Sequence, residues 1–265
     1  MTWRGRHTGA MASALAAAAL VAAGCGGEET GDGSSSSSSP DAKLAKAPGT
    51  PAREDCATGP LKTDVPPDDL VPAAGTYTYR NAGTQRTEGL GGGATALPER
   101  MHTKISTARK IGPLRCFTVH RPYSPQLIDN ATFVVRGSDV YITRFEVVGA
   151  GGAGVGVVKP DPPIKSLDGD ELEWSGSFSG ETNGKYTGNV LGRRTISVGD
   201  RRERAVGVEL RMAMTGELKA DFVTTSWIGL ETNTVLTEKT KTGRSSEGPP
   251  IILDLRMKLR RGPKS

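Results

Sequence analysis

Hydrophobic and polar residues alternate along most of the chain between residues 75 and 260. In RAVGVELRMAM, residues 204–214, apolar side chains occupy the even positions from Val206 to Met212, whereas Glu209 and Arg211 occupy odd ones. A period of two is typical of a strand with one buried and one solvated face. Helical periodicity is nearly absent, so the pattern predicts a fold made of strands.

The segment after this strand, ELKADFVTTSW, keeps the same parity. A three-residue loop with Gly216 in the left-handed conformation predicts a hairpin in which Met212 faces Leu218 and Val208 faces Phe222. The apolar faces of the two strands then coincide, so this register is consistent with one buried face.

The same alternation recurs elsewhere and predicts about eleven strands joined by short turns. Turn signals lie at Gly112-Pro113, Gly137-Ser138 and Asn183-Gly184, and the last strand, IILDLRMKLR, directs Leu253, Leu255, Met257 and Leu259 inward. Connections this short require neighbouring strands to be antiparallel. We therefore predict an all-β or mainly β fold built on one large antiparallel sheet.

A glycine-rich stretch, EVVGAGGAG, resembles the fingerprint of a dinucleotide-binding turn, with Gly149, Gly151 and Gly154 after an apolar run. That fingerprint requires a helix immediately after the glycines, whose N-terminus faces the pyrophosphate. The residues that follow, VGVVKPDPPIK, carry three prolines, which do not allow a helix. The pattern therefore argues against a dinucleotide cofactor and favours a glycine loop at the rim of the sheet.

The first residues have the order of a secretory signal: basic Arg4 and Arg6, then an apolar run of about 14 residues at 10–23, short of the roughly 20 needed to span a bilayer. The run ends in VAAGC, which resembles the lipobox of bacterial lipoproteins. That resemblance implies a signal peptide over residues 1–24, lipid attachment at Cys25 and a location on the extracytoplasmic face of the cell membrane. The alternative is an ordinary secretory signal with an incidental cysteine.

Residues 25–55 contain glycine, serine, proline and charged residues with almost no apolar content. Such a composition cannot bury enough surface to offset chain entropy, so we expect a disordered tether. The remaining residues, 56–265, then form the antiparallel β domain. With Cys25 lipidated, Cys56 and Cys116 remain, and outside the cytoplasm we expect them to form a disulfide rather than two free thiols.

Candidate catalytic and metal-binding residues are few. His102 and His120 are equidistant from Ile111, so a hairpin there would place them opposite each other, but no third ligand is spaced to complete a metal site. No serine has the setting of a nucleophile, and the paired acids at 68–69 and 168–171 lie in turns. We therefore expect no enzyme activity, no catalytic residue, no metal and no cofactor.

The net charge does not indicate a nucleic-acid partner. The chain carries +5, of which Arg4 and Arg6 contribute two, so +3 remains after removal of the signal. This is a small excess over many charges of both signs.

The segment TTSWIGLETNTVLTEK, residues 224–239, resembles a motif of lipoprotein carriers of the LolA and LppX/LprG group, in which a strand ending in tryptophan is followed by a short turn and a charged strand. The resemblance implies that the sheet curls into an unclosed half-barrel whose concave face binds a lipid or another amphiphile. The residues expected to face the ligand are Trp174, Val206, Val208, Leu210, Phe222 and Trp227. The alternatives are core positions for the tryptophans and, for the whole domain, a non-enzymatic structural or interaction module of the cell envelope.

Overall fold

The computed structural model describes residues 50–52, 56, 71–87, 93–124, 127–136, 139–149, 152–157, 159–161, 164–165, 173–179, 182–216, 220–242 and 251–263. Within these ranges the chain forms strands and turns and no α-helix. The predicted signal peptide, Cys25 and nearly all of the predicted tether lie outside the described residues. The prediction of an all-β fold is confirmed.

In the described part of the chain sixteen strands make up the sheet, several of them only two or three residues long. In chain order they are β1 (Gly75–Thr87), β2 (Thr95–Ala96), β3 (Arg100–Ile105), β4 (Arg109–Ile111), β5 (Leu114–Ser124), β6 (Leu127–Arg136), β7 (Asp139–Gly149), β8 (Gly152–Val157), β9 (Lys159–Asp161), β10 (Ile164–Lys165), β11 (Glu173–Ser179), β12 (Thr182–Val198), β13 (Arg201–Gly216), β14 (Ala220–Gly229), β15 (Val235–Thr242) and β16 (Ile251–Arg261).

All the strand pairings are antiparallel, and the order across the sheet is β10-β7-β6-β5-β3-β1-β16-β15-β14-β13-β12-β11-β9. Its two edge strands, β9 and β10, are consecutive in the chain, with residues 162–163 between them. Three peptide units span about 11 Å at most, so the sheet must curl until its edges approach each other. The result is an open half-barrel, as predicted.

The hairpin of β13 and β14 has a different register from the predicted one. Met212 pairs with Phe222 and Val208 with Ser226, a shift of four residues along β14. The shift is an even number, so the predicted side chains stay on the same face of the sheet. Parity is fixed by burial of one face, whereas the register also depends on how far the two strands extend towards their turn.

The Asn183-Gly184 dipeptide is not a turn, contrary to the prediction. Both residues lie inside β12, where Asn183 pairs with Thr215 and Gly184 with Met214. β12 is one strand of 17 residues, with a register shift between Val190 and Gly192. Pairing with β13 along nearly its whole length overrides the local turn preference of Asn-Gly.

The glycine-rich stretch forms a β-hairpin rather than a loop. Val147 at the end of β7 pairs with Gly154 in β8, and Gly149 pairs with Gly152. The prediction of a rim loop is therefore wrong for Gly152–Val157, because glycine backbone groups here continue the antiparallel ladder. The glycines are followed by a strand. A dinucleotide-binding turn requires a helix at this point, so the segment does not have the required structure.

The inner face of the sheet carries the main hydrophobic core. Leu253, Leu255, Met257 and Leu259 of β16 are between 0% and 3% exposed, as the alternation predicted. Aromatic residues of β5 and β6 extend this core, with the rings of Phe117 and Phe133 stacked at 5.4 Å between centroids, each residue at most 2% exposed.

The outer face of β5 is covered by the segment before the sheet. Cys56 and Cys116 form the predicted disulfide, with Cα atoms 5.8 Å apart, and both are buried beside Val134. The backbone carbonyl of Pro51 accepts a hydrogen bond of 2.7 Å from Arg109 Nε. Contacts with the sheet therefore include Pro51, which precedes the expected domain start at residue 56.

Candidate binding cavity at the end of the half-barrel

Four of the residues expected to face a ligand lie on the inner face but are packed in the core. Val206, Val208, Leu210 and Phe222 are 6%, 3%, 1% and 2% exposed, and cross-strand neighbours on β13 and β14 cover them. In this region the concave face is filled by side chains of the chain itself.

The two tryptophans occupy different surroundings. Trp227 pairs with Gly207, so it lies on the outer face, opposite to the buried Val206 and Val208. The guanidinium carbon of Arg194 lies 3.7 Å from its ring centroid, a cation–π contact. Trp174 pairs with Gly188 through its backbone, and its side chain lies outside the described part of the chain.

A buried cluster of charged residues fills the middle of the half-barrel. Arg121 on β5 is the cross-strand neighbour of Asp129 on β6. The Nη1 atom of Arg121 lies 3.9 Å from Oε2 of Glu238 on β15. The three residues are only 2%, 5% and 3% exposed. Ser226 Oγ donates to Glu238 Oε2 at 3.0 Å, and Thr240 Oγ1 donates to Oε1 at 3.4 Å. Hydrogen bonds and an opposite charge thus compensate Glu238 for the loss of water.

Burial dominates the ionisation of this cluster. It raises the pKa of the Glu238 carboxyl, although Arg121, Ser226 and Thr240 act in the opposite direction. Burial also raises the pKa of Tyr79, whose hydroxyl donates to the Val235 carbonyl at 3.0 Å, to about 12. Burial alone would lower the pKa of Arg121, but Tyr123, Glu238 and Asp129 more than offset this and raise it. Arg121 is therefore a permanent positive charge in the interior.

Asn81 and Thr103 on the inner face carry buried polar atoms that have no hydrogen-bond partner within the described structure. Both amide atoms of Asn81 and the hydroxyl of Thr103 are buried without a hydrogen bond, in residues that are each 3% exposed. Asn81 pairs across the sheet with Met257, which in turn pairs with Glu238. The unpaired amide therefore lies in the same cross-strand row as the buried carboxylate, where a bound water would satisfy it.

A cavity of ≈ 620 Å³ opens at the end of the half-barrel, where the first and last strands meet two turns. We call it the end cavity. Its floor includes Tyr77, Val198 and Leu259, which are 2%, 8% and 2% exposed and belong to the main core. Its rim includes polar and charged residues of the 231–234 turn and of the last strand, among them Arg260 and Arg261. The volume is within the range of small-molecule sites, which combine an apolar lining with a few polar groups.

Glu203 fixes the turn that forms one wall of the end cavity. Its side chain is fully buried, and Oε1 accepts hydrogen bonds from the backbone N–H of Glu231 and of Thr232 and from Thr232 Oγ1, at 3.2, 2.9 and 2.8 Å. Oε2 lies 2.9 Å from Nη2 of Arg201, which lines the cavity. Gly229 precedes this turn, and any side chain there would collide with the Glu203 carboxylate. The wall is therefore held by one carboxylate with four donors.

Tyr77 anchors the opposite wall of the end cavity. Its hydroxyl donates to the backbone carbonyl of Ala73 at 2.7 Å, which ties the segment before β1 to the cavity floor. Burial is the largest of the effects that raise the pKa of Tyr77, followed by the nearby Tyr79 and Glu203. The hydroxyl stays protonated and remains a hydrogen-bond donor at physiological pH.

The two histidines do not face each other, because β3 and β5 pair in a register two residues away from the predicted one. His120 is opposite Lys104, and its Nδ1 atom lies 2.6 Å from Asn130 Oδ1. His102 is exposed, with Nδ1 3.2 Å from Thr78 Oγ1. Among the described residues no group of three potential metal ligands occurs.

No helix in the described ranges is long and apolar enough to cross a membrane. Comparison of the chain with protein-family models, with curated proteins and with solved structures finds no match.

Proposed function

We propose that this chain is a lipid-anchored protein of the extracytoplasmic membrane face, and that its half-barrel binds a small amphiphile in the end cavity. The observation that carries the proposal is the composition of that cavity, in which an apolar floor of Tyr77, Val198 and Leu259 lies beneath a polar rim. An amphiphile matches this division, because its apolar part is removed from water while its polar part stays at the opening.

The rim favours an anionic polar group. Arg260 and Arg261 line the cavity together with one acidic residue, Glu231, and with Arg201, whose charge is paired with Glu203. Arginine presents a planar set of donors that suits carboxylates and phosphates. We therefore expect the ligand to carry a carboxylate or a phosphate next to an apolar portion.

The anchoring part of the proposal rests on the sequence, with its basic, apolar and small-residue order ending at Cys25. A lipid at Cys25, joined by the tether to the domain that Pro51 contacts, would hold the half-barrel close to the bilayer surface. In this location an amphiphile leaving or entering the membrane would be within reach of the cavity.

Filling the cavity tests the binding proposal. Ala73 lines the cavity with an exposed side chain, and its contact with Tyr77 is made by the backbone, so Ala73→Trp should obstruct the cavity and leave the core intact. Ala96→Trp, at another exposed alanine that does not line the end cavity, is the matched control. Native mass spectrometry of the protein purified from its own host should detect a bound amphiphile in the wild type and in Ala96→Trp, and none in Ala73→Trp.

The filled middle of the inner face favours a second candidate function, a structural or interaction module of the cell envelope. Val208 and Leu210 are packed, and the cluster of Arg121, Asp129 and Glu238 occupies the interior, as in a rigid domain that meets partners through its surface. Absence of any co-purified amphiphile from the wild type, with a normally folded Ala73→Trp variant, would favour this module over a carrier.

A further inference from the structure

The outer face of four adjacent strands, β3, β1, β16 and β15, carries a group of exposed basic residues. We call it the basic face, and its members are Arg80, Arg100, Lys239, Lys241, Arg256 and Lys258. Their neighbours in the chain, such as Tyr79, Leu255 and Met257, point to the buried inner face. The six cations therefore project together from one side of the sheet.

The strand registers place like charges directly opposite each other on this face. Arg80 is the cross-strand partner of both Arg100 and Lys258. Lys239 is the partner of Arg256 on the next pair of strands. Like charges in directly opposed positions destabilise a sheet. Opposed residues of opposite charge would not carry this cost. The arrangement therefore lowers the stability of the isolated domain.

Few acids neutralise these cations. Arg80 Nε lies 3.4 Å from Glu99 Oε1, and Lys241 Nζ lies 4.0 Å from Asp254 Oδ2, both in exposed pairs. Arg256, Lys258 and Lys239 make no ion pair with a described residue. The face thus presents an excess of about four positive charges over four neighbouring strands, although the mature chain has only a small net charge.

We infer that the basic face docks on the anionic headgroups of a lipid bilayer. Several cations side by side on the outer surface of four adjacent strands complement the phosphates of a bilayer surface, and each Lys or Arg near such a surface contributes attraction that salt weakens. The inference does not depend on the ligand of the end cavity. It adds to the proposed anchor, because a lipid at Cys25 would hold the domain near the membrane whereas the basic face would set its orientation.

Binding to vesicles tests the inference. The full chain with Cys25→Ser lacks the lipid attachment, and it should bind vesicles of phosphatidylcholine with phosphatidylglycerol more tightly than vesicles of phosphatidylcholine alone. Adding Lys239→Gln, Arg256→Gln and Lys258→Gln should weaken binding to the anionic vesicles about a hundredfold at low salt. The apolar N-terminal segment is the same in both proteins, so the difference reports on the basic face alone.

A charge-matched control separates the face from net charge. Lys185, Arg193 and Arg202 are exposed on β12 and β13, and changing all three to Gln removes the same charge elsewhere. Binding of this control should remain close to that of the parent. Equal losses in both triple variants, salt-independent binding, or binding to soluble heparin without binding to anionic vesicles would each overturn the inference.

Stability provides a second readout. Because the three substitutions on the basic face remove opposed like charges, that variant should unfold at the same temperature as the parent or above it while it loses vesicle binding. A loss of binding accompanied by a lower unfolding temperature would instead indicate damage to the fold and would count against the inference.

Discussion

Arg121 on β5 and Glu238 on β15 meet across the interior of the half-barrel, with Nη1 and Oε2 3.9 Å apart, although three strands separate them within the sheet. Adjacent strands lie about 4.8 Å apart, so in a flat sheet the two strands would be about 19 Å apart. The two charges come together because the sheet curls, and not because their strands are hydrogen-bonded neighbours. The pair therefore links the two halves of the fold where no backbone hydrogen bond can do so.

Removal of the positive charge should be severely destabilising. Arg121→Met leaves Asp129 and Glu238 buried without their counter-charge, and we expect a loss of about 3–5 kcal/mol in the free energy of unfolding. Arg80→Met is the matched control, because Arg80 pairs with Glu99 at the surface and should change stability by about 0–1 kcal/mol. Chemical denaturation measures both, and similar values for the two variants would contradict a role for Arg121 in the interior.

Glu238 should make stability depend on pH. Burial raises its pKa in the folded protein above the ordinary value of 4.5, so the folded state binds the proton more tightly than the unfolded chain. The stabilisation is complete below the ordinary pKa and is lost as the pH rises through the folded pKa. The stability of the wild type relative to Glu238→Gln should thus fall from acidic to neutral pH. Urea unfolding at several pH values measures the difference, and a constant difference would rule out this titration.

Gly229→Ala should disturb the end cavity through Glu203. The added methyl group would press on the Glu203 carboxylate and on Thr232 Oγ1, so overpacking should cost about 1–3 kcal/mol and displace the 231–234 turn. Gly93→Ala is the control, since apart from its chain neighbours no described atom lies within 4 Å of the added group. Thermal unfolding, together with detection of any bound amphiphile, distinguishes the two. Equal stability of both variants would show that the turn adapts to the extra group.

The disulfide should contribute to stability through the loop it closes. Cys56 and Cys116 are 60 residues apart, for which the chain-entropy model gives about 4 kcal/mol. Reduction, or the double change to Ser, should lower the unfolding temperature and expose two thiols to alkylation, measured by intact mass. Cys25→Ser should leave the unfolding temperature unchanged. Two thiols that are alkylated without reduction would contradict the bond.

The proposed lipid anchor predicts that removing the attachment site changes the location of the protein. Cys25→Ser should release the protein from the membrane fraction of its host or leave the precursor uncleaved, whereas Cys56→Ser should leave it in the membrane fraction. Fractionation with and without detergent, followed by mass determination of the N-terminal peptide, measures both effects. If the Cys25→Ser protein stays in the membrane fraction and is processed as before, attachment through Cys25 is excluded.

The sequence was sufficient to predict the faces of the strands, because burial of one face fixes the parity of each strand. Leu253, Leu255, Met257 and Leu259 are buried, and so are Val206, Val208, Leu210 and Met212, as the alternation indicated. The register was harder to predict. Asn183-Gly184 has the local preference of a turn, yet pairing along β13 places it within a strand of 17 residues. Local signals cannot report the length of a partner strand that has not yet been identified.

The interior charges were missed for a related reason. Alternation assigns charged residues to the solvated face, yet Arg121 shares its face with Val119, and Glu238 shares its face with Leu236. The sequence did contain a signal, because on each of these two strands a charged residue occupies a position where the alternation expects an apolar one. Their pairing still depends on the curl, which comes from contacts between distant parts of the chain. The end cavity is built from four separate segments, so no local pattern could predict it.

The pairing of β1 with β16 determines when the sheet can be completed during folding. These strands join the two halves of the sheet at its centre, with Thr78 opposite Arg261. Contacts between residues so far apart in sequence close a large loop and slow the folding of β proteins. Until β16 is in place, β1 and β15 both expose unpaired edges that can associate with other chains. A chain truncated before Ile251 should therefore aggregate rather than fold into a smaller domain.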